Sequence, residues 1–279
     1  MRRRDPYVVA GGLAVVTGAA SGIGAALALE LAEEGSHLAL VDRDKDALLA
    51  GAERLARQHP GITVTSHPLD LTDTGAAEEL RAQVLAQHGA PTLVVNNAGV
   101  ALAGRFEQVT MEDVDWLLAV NLHAVMHVTW AFLPSLRRGA HIANVSSLFG
   151  IVAPSGQAAY CASKFGVRGF SLSLAGELAP RGIGVTCVHP GGINTAIARS
   201  ARRGAGLSED EWNRGLQAFE RFLLIEPAVA ARSILRGIRR RKARVLIGPE
   251  SYVGDALTRL APVAGSAIFD RLARARAGL

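Results

Sequence analysis

Tyr160 and Lys164 stand four residues apart in the segment Tyr160-Cys161-Ala162-Ser163-Lys164. On a helix that spacing puts both on one face, with Cβ atoms roughly 6 Å apart. An ammonium fixed beside a phenol favours the phenolate and would draw its pKa from about 10 toward the working pH. A tyrosine in that state can act as a general acid or base. Lysine is also scarce, at positions 45, 164 and 242 only, among 30 basic residues. A Tyr-x-x-x-Lys pair alone is commonly a surface pair, so its meaning depends on what else the chain carries.

Upstream lies Thr17-Gly18-Ala19-Ala20-Ser21-Gly22-Ile23-Gly24. The apolar run Leu13-Ala14-Val15-Val16 before it reads as a buried strand, and Ile23 to about Glu34 reads as a helix. Strand, glycine-rich turn and helix in that order let backbone amides and a helix N-terminus hold a pyrophosphate. The glycines serve tight turning, close approach of backbone to ligand, and close helix–strand contact. The spacing is wider than G-x-G-x-x-G, and a merely flexible loop is the plain alternative. Asp42 ends the next apolar run, His37-Leu38-Ala39-Leu40-Val41, and falls 18 residues beyond Gly24. That is close to the roughly 20 expected of an acid that bonds the adenosine ribose hydroxyls. A carboxylate there favours NAD and repels the extra phosphate of NADP. Arg43 beside it can pair with such a phosphate, which keeps NADP as the lesser alternative; Asp42 as a strand-end cap is the bland one.

With these motifs in order, the chain resembles the short-chain dehydrogenases/reductases over roughly residues 10 to 250. Thr17 to Gly24 looks like that family's cofactor loop, with Gly18, Ser21, Gly22, Ile23 and Gly24 at the dinucleotide, and Asp42 and Arg43 at the adenosine ribose. Asp70-Leu71, after an expected strand Ile62-Thr63-Val64, resembles the adenine-contacting pair. Asn96-Asn97-Ala98-Gly99, ending the strand Thr92-Val95, looks like the motif that supports the central sheet and lines the adenine side. Pro190-Gly191-Gly192-Ile193-Asn194-Thr195, after the strand Gly184-Val188, looks like the loop around the nicotinamide, which adds Pro190, Gly191, Ile193 and Thr195 to the cofactor contacts. The resemblance implies a catalytic set of Asn121, Ser147, Tyr160 and Lys164. Asn121 lies in a long helix starting near Thr110, and Ser147 lies 13 residues before Tyr160. By resemblance Tyr160 exchanges the substrate proton and Ser147 holds the substrate oxygen. Lys164 tunes the phenol and holds the nicotinamide ribose, and Asn121 positions a water in a proton relay. Ser146 and Ser163 read as structural. His189 stands where many members carry Asn and brings a titratable group near the cofactor.

The elements that must position these residues follow from composition and pattern. At 279 residues the chain suits one large α/β domain, a Rossmann-like, doubly wound parallel sheet with helices on both faces. Residues 1–250 are expected to form it, with a substrate lid at about 196–226 and a C-terminal amphipathic extension at 251–279. Only two cysteines occur, Cys161 and Cys187, so no disulfide is expected and a reducing, cytoplasmic setting fits. Residues 8–32, behind the basic Met1–Arg4, mimic a membrane anchor, but glycines and the cofactor loop break the run. The reading is therefore a folded strand and helix with no transmembrane segment, after a disordered terminus. The run Arg236-Gly237-Ile238-Arg239-Arg240-Arg241-Lys242-Ala243-Arg244, with a pI near 9.7, invites a nucleic-acid reading. No aromatic residues interleave with its charges, so it reads as a solvated helix end and no nucleic-acid partner is expected. His123 and His127, at i and i+4, lack further ligands at suitable spacing, so no metal is expected. By resemblance this helix and the Tyr160 helix join subunits into a homodimer or homotetramer.

The partner implied is a small-molecule substrate. The lid carries Ile197, Leu207, Trp212, Phe219 and Phe222, which either close an apolar pocket or pack one or two helices on the body. Arg199, Arg202 and Arg203 either meet an anionic group or are solvated. The tail past Tyr252 has three readings: pocket cover, subunit contact or contact with an anionic membrane surface. An apolar secondary alcohol or ketone is the expected substrate class. An NADP-dependent reductase of ketoacyl-type carbonyls, or a non-catalytic dinucleotide-binding regulator, are the rival readings.

Overall fold

The computed structural model describes residues 5–277; the expectation of a disordered terminus at residues 1–4 lies outside them. Strands and helices alternate along the chain: β1 Leu13–Thr17, α1 Gly22–Glu33, β2 His37–Asp42, α2 Lys45–Gln58, β3 Val64–Pro68, α3 Ala76–His88 and β4 Leu93–Asn96. Then come a short β5 Leu102–Ala103, α4 Met111–Leu118, α5 Ala124–Phe132, β6 His141–Val145, α6 Ala158–Leu178 and β7 Gly184–Pro190. The last part holds β8 Arg202–Arg203, α7 Glu209–Glu220, α8 Pro227–Arg239, β9 Arg244–Ile247, α9 Pro249–Leu260 and α10 Gly265–Ala277. Seven strands form one parallel sheet in the order β3-β2-β1-β4-β6-β7-β9. This is the doubly wound, Rossmann-like single domain expected.

Strand periodicity explains why the sheet is covered on both faces. Ala14 and Val16 of β1 face a core built with Leu27, Leu31, Leu48 and Ile234. Leu13 and Val15 face the other way, toward Leu80, Val84, Phe132 and Leu178. Each buried Val, Leu, Ile or Phe side chain among them contributes about 1.5–3 kcal/mol. The strand order reverses between β1 and β4, and in sheets of this kind ligands settle in the crevice beyond the strand ends at that point. The loops after β1 and β4 are those carrying Thr17–Gly24 and Asn97–Gly99.

Three expectations about elements need correction. β3 begins at Val64, not Ile62, because Ile62 closes a turn onto His59 (3.2 Å). The helix expected from Thr110 is interrupted by a π-turn over Ala119–His123, which separates α4 from α5. The arginine run is not a simply solvated end. Arg241, at φ +46°, donates to the carbonyls of Asp5 (2.8 Å) and Gly139 (2.5 Å), Arg239 pairs with Glu34, and Arg244 is clamped on Asp255. Arg241 thus joins Asp5 to the turn before β6, Arg239 joins α8 to Glu34 at the end of α1, and Arg244 joins β9 to α9. After β9 the chain continues directly into α9, and Phe269 of α10 packs on a small core of Leu148, Ile151 and Val152.

Candidate active site

The loop after β1 is held by Thr17. Its Oγ1 accepts the amides of Asn97 and Ala98 (both 3.0 Å) and donates to the Val95 carbonyl (3.3 Å). Asn97 Nδ2 donates back to the carbonyls of Thr17 (3.0 Å) and Gly18 (3.2 Å), so its side chain is spent on joining the two loops. Gly18 sits at φ +67°, and a Cβ there would fall 2.8 Å from Ala98 Cα. A Cβ on Gly24 would stand 2.0 Å from the Gly18 carbonyl oxygen. The glycines thus leave a bare backbone cradle at the N-terminus of α1, with Ser21 as its cap residue. A pyrophosphate fits such a cradle, since it needs unobstructed amides and the positive end of a helix dipole. Gly24→Ala is expected to lower both melting temperature and NADH affinity, the latter about tenfold or more by analogy with forced overpacking; calorimetric titration checks it.

Asp42, at the end of β2, braces the glycine loop from the other side. Its Oδ2 accepts the Ala20 amide and its Oδ1 the Asp44 amide, both at 3.0 Å, so it caps the strand and shapes the glycine loop at once. Each carboxylate oxygen retains a lone pair for a further donor. Arg43 is exposed. Asp70 Oδ1 binds the Thr72 amide (2.9 Å) and hydroxyl (2.7 Å). Leu71 joins Thr17, Asn96, Ala98 and Val120 around a small void beside these loops.

The second half of the site gathers at the ends of β6 and β7. Ser147 follows β6; its hydroxyl accepts the Phe149 amide (3.1 Å) and interacts with the Tyr160 phenol, lowering its pKa. Lys164 is 3% exposed, with Nζ 5.7 Å from the Tyr160 ring centroid and donating to the Val145 carbonyl at 3.3 Å. The expected fall of the phenol pKa is reversed. Burial pushes Tyr160 up to about 12, against the smaller lowering effect of the Ser147 hydroxyl, and burial pulls Lys164 down to about 8. The low-dielectric surroundings disfavour charge on both partners, and the ammonium bonds a backbone carbonyl rather than the phenol oxygen.

Asn121 sits at the centre of the π-turn, a helical irregularity common at functional sites. Its side chain accepts the Val100 amide (2.8 Å) and donates to the Val100 carbonyl (3.0 Å) and to Ser163 Oγ (3.2 Å). Ser163 in turn donates to the Tyr160 carbonyl (2.7 Å). A Cβ on Gly99 would lie 3.3 Å from both Asn121 Oδ1 and Lys164 Nζ, so the two residues converge on that loop. Ser163 therefore does more than fill space: it joins the π-turn to the Tyr160 helix. Ser146 donates to the Lys164 carbonyl (2.8 Å), fixing the same helix to β6.

Around the Pro190–Thr195 loop, Thr195 abuts Gly22, closing the site between its two halves. His189 is fully buried, and its Nδ1 bonds the Ser147 carbonyl at 2.9 Å. Burial, with Arg168 and Arg244 nearby, holds it neutral with a pKa of about 4, against opposing effects from the Ser147 carbonyl and Asp255. Sequence reasoning missed Glu250, whose carboxylate accepts the Gly192 amide at 2.6 Å. No local pattern marks a residue that meets its partner 58 positions away.

The segment expected as a lid, residues 196–226, contains one helix, α7, opened by a Ser208–Glu211 capping box. Its Phe219 meets Phe149 edge-on (6.5 Å), and Phe149 meets Tyr160 edge-on (6.1 Å), giving an aromatic wall on the phenol side. Two of this segment's arginines are engaged. Arg199 pairs with Glu220 (3.0 Å), while Arg202 pairs with Asp113 (3.2 Å) and lies 3.9 Å over the Trp116 ring. Among the described residues no group of three His, Cys, Asp or Glu side chains could hold a metal, and no helix is long and apolar enough to cross a membrane.

Comparison with known proteins agrees with this geometry. The model of the short chain dehydrogenase family matches residues 12–206. This chain therefore belongs to the short-chain dehydrogenase/reductase family, and is an oxidoreductase with a nicotinamide-dinucleotide-binding fold. It is 42% identical over 254 residues to a Mycobacterium tuberculosis protein named as an oxidoreductase, SadH, covering 90% of this chain and 91% of that one. A Burkholderia phymatum short-chain dehydrogenase/reductase in complex with NAD superposes with a TM-score of 0.82 at 25% identity, covering 91% of this chain and 95% of that one. An alcohol dehydrogenase from the archaeon Thermococcus sibiricus, complexed with 5-hydroxy-NADP, gives 0.71 at 26% identity, with 85% and 94% covered. Both cofactors occur among these neighbours, so the fold does not choose between them.

Proposed function

We propose that the protein is an NAD-dependent dehydrogenase or reductase that interconverts an apolar secondary alcohol and its ketone. The observation that carries this reading is the gathering of Ser147, Tyr160 and Lys164 beside the Pro190–Thr195 loop, with Thr195 in turn against the glycine cradle. Bound NAD would supply the hydride acceptor, and NADH the donor. The chain's own residues handle the proton. The neutral phenol of Tyr160 donates to the oxygen of a ketone, and Ser147 holds that oxygen by a hydrogen bond as charge develops. Gly18, Ser21, Gly22, Ile23 and Gly24 would hold the pyrophosphate side. Asp70, Leu71, Ala98 and Gly99 would line the adenine and central region, with Asn97 bracing them from behind. Pro190, Gly191, Ile193 and Thr195 would flank the nicotinamide. Phe149 and Phe219 beside the phenol favour an apolar substrate over a polyol.

The preference for NAD rests on Asp42. A second phosphate would meet a carboxylate already fixed by two amides, and like charges in contact cost several kcal/mol. The wild-type protein is expected to favour NAD by about tenfold or more in kcat/KM, and Asp42→Ala to lower activity with NAD and narrow that ratio. Formation of NADH or NADPH across a panel of hydrophobic secondary alcohols checks both points. Higher turnover with NADP would show that Arg43 outweighs Asp42.

The domain reading extends likewise: residues 1–250 carry the reaction, and the extension from 251 braces the site through α9 and α10. A second copy of the chain is expected on the face of α5 and α6, where Trp130 (67% exposed), Phe165 and Leu172 lie open and Gly169 and Gly176 leave room for close helix contact. Sedimentation would read a homodimer or homotetramer.

A further inference from the structure

We infer that Glu250, from the first turn of α9, is a positioning residue that fixes the Gly191–Gly192 pair of the nicotinamide-side loop. This rests on the dinucleotide reading above. The amides of the four residues that follow Pro190 are all bonded. Gly191 N donates to the Ile247 carbonyl (2.9 Å), Ile193 N to the Gly191 carbonyl (2.9 Å), and Asn194 N to the Ile225 carbonyl (2.8 Å). The fourth, Gly192 N, alone uses a side chain, Glu250 Oε1 at 2.6 Å.

The surroundings are shaped to admit that carboxylate. A Cβ on Gly191 would stand 1.9 Å from Glu250 Oε1, and one on Gly248, itself at φ +88°, would stand 2.5 Å from it. Pro249 at the first position of α9 fixes the direction from which the side chain enters. The loop is pinned on its other flank by Ile225 N donating to the Gly192 carbonyl (3.0 Å). Two consecutive glycines have the widest backbone freedom of any dipeptide, so the loop needs an anchor from outside itself to hold one conformation. Glu250 is that anchor, and it makes the nicotinamide half of the site depend on the C-terminal helix. Without it, the loop must be ordered at the moment of binding, and affinity falls by that cost. The adenosine half, built on β1, β2 and β4, does not feel the change.

The test compares NADH with ADP-ribose, which lacks the nicotinamide, by titration calorimetry on the full chain. Glu250→Asp keeps the charge and shortens the reach; Glu250→Gln keeps the reach and an acceptor oxygen. The Asp variant is expected to bind NADH about tenfold or more weakly and ADP-ribose within about twofold of wild type. The Gln variant is expected to keep NADH affinity within about threefold. Equal weakening of both ligands by Glu250→Asp, no weakening of either, or a Gln variant as impaired as the Asp variant would each overturn the inference. Wild-type protein that binds both ligands while the variants match it leaves the dinucleotide reading standing and removes only Glu250 from it. Wild-type protein that binds neither overturns both. Melting temperatures of the three proteins separate loop disorder from global unfolding, which would weaken the two ligands alike.

Discussion

Tyr160→Phe is expected to cut turnover by about 10²–10⁴-fold in both directions while leaving NADH affinity within about twofold. The phenol oxygen is the only group in the reading that exchanges a proton with substrate, and removing it leaves the ring, its edge contact with Phe149 and the helix intact. The protonation states add a direction. With Tyr160 raised to about 12, the neutral phenol is the dominant form at neutral pH, ready to protonate a ketone. Alcohol oxidation needs the phenolate, so its kcat/KM should climb with pH, by up to about tenfold per unit where deprotonation limits it. Reduction should stay level until Lys164, pulled down to about 8, loses its charge. Measuring both directions from pH 6 to 10 checks the asymmetry. Unchanged turnover in the Phe variant, or matching pH limbs in the two directions, would remove Tyr160 from its role and leave a dinucleotide-binding protein without this acid.

The sequence exposed the parts of this molecule that depend on local pattern. Leu13–Val16 followed by Thr17–Gly24, and His37–Val41 followed by Asp42, combine an apolar strand with a chemically constrained turn, and both lie where expected. β3 was harder to place because Thr65, Ser66 and His67 are polar. His67 is buried against Gln83, and Thr65 is bonded to both His67 and His88, so its burial is satisfied by hydrogen bonds rather than announced by hydropathy. The π-turn at Asn121 leaves no trace in periodicity, since one extra residue per turn shifts the register only downstream. Arg241 is hidden for another reason. Its partners are carbonyls of Asp5, Gly139 and Ala140, groups every sequence possesses. The pKa of Tyr160 is the instructive case: spacing correctly put the ammonium beside the ring, but only the fold says that Lys164 is buried and the phenol partly desolvated, and desolvation outweighs the pairing. Thr17 and Glu250 share this character, because each acts on backbone that comes from elsewhere in the chain, and Ser163 meets the Asn121 side chain 42 residues away.

His189 should make the protein lose stability in mild acid. Its Nδ1–H is committed to the Ser147 carbonyl, which leaves Nε2 as the site of protonation, and that atom is buried with no partner among the described residues. A proton there would place a charge in a dry site that Arg168 and Arg244 already make positive, with only Asp255 to oppose them. The sign follows from linkage. The unfolded chain takes up this proton near pH 6.5 and the folded chain only near 4, so between those values the unfolded state holds more protons and stability falls as the pH falls. Across that window the loss is about 3 kcal/mol, and below pH 4 this group adds nothing further. His67 and His88, also lowered chiefly by burial, act in the same direction. His189→Asn keeps a donor for the Ser147 carbonyl and has no proton to accept, so in denaturant melts from pH 7 to 4.5 the wild type should lose about 2–3 kcal/mol more stability than the variant. Parallel curves across pH 4–7 would mean that water reaches Nε2 and that the site is not dry.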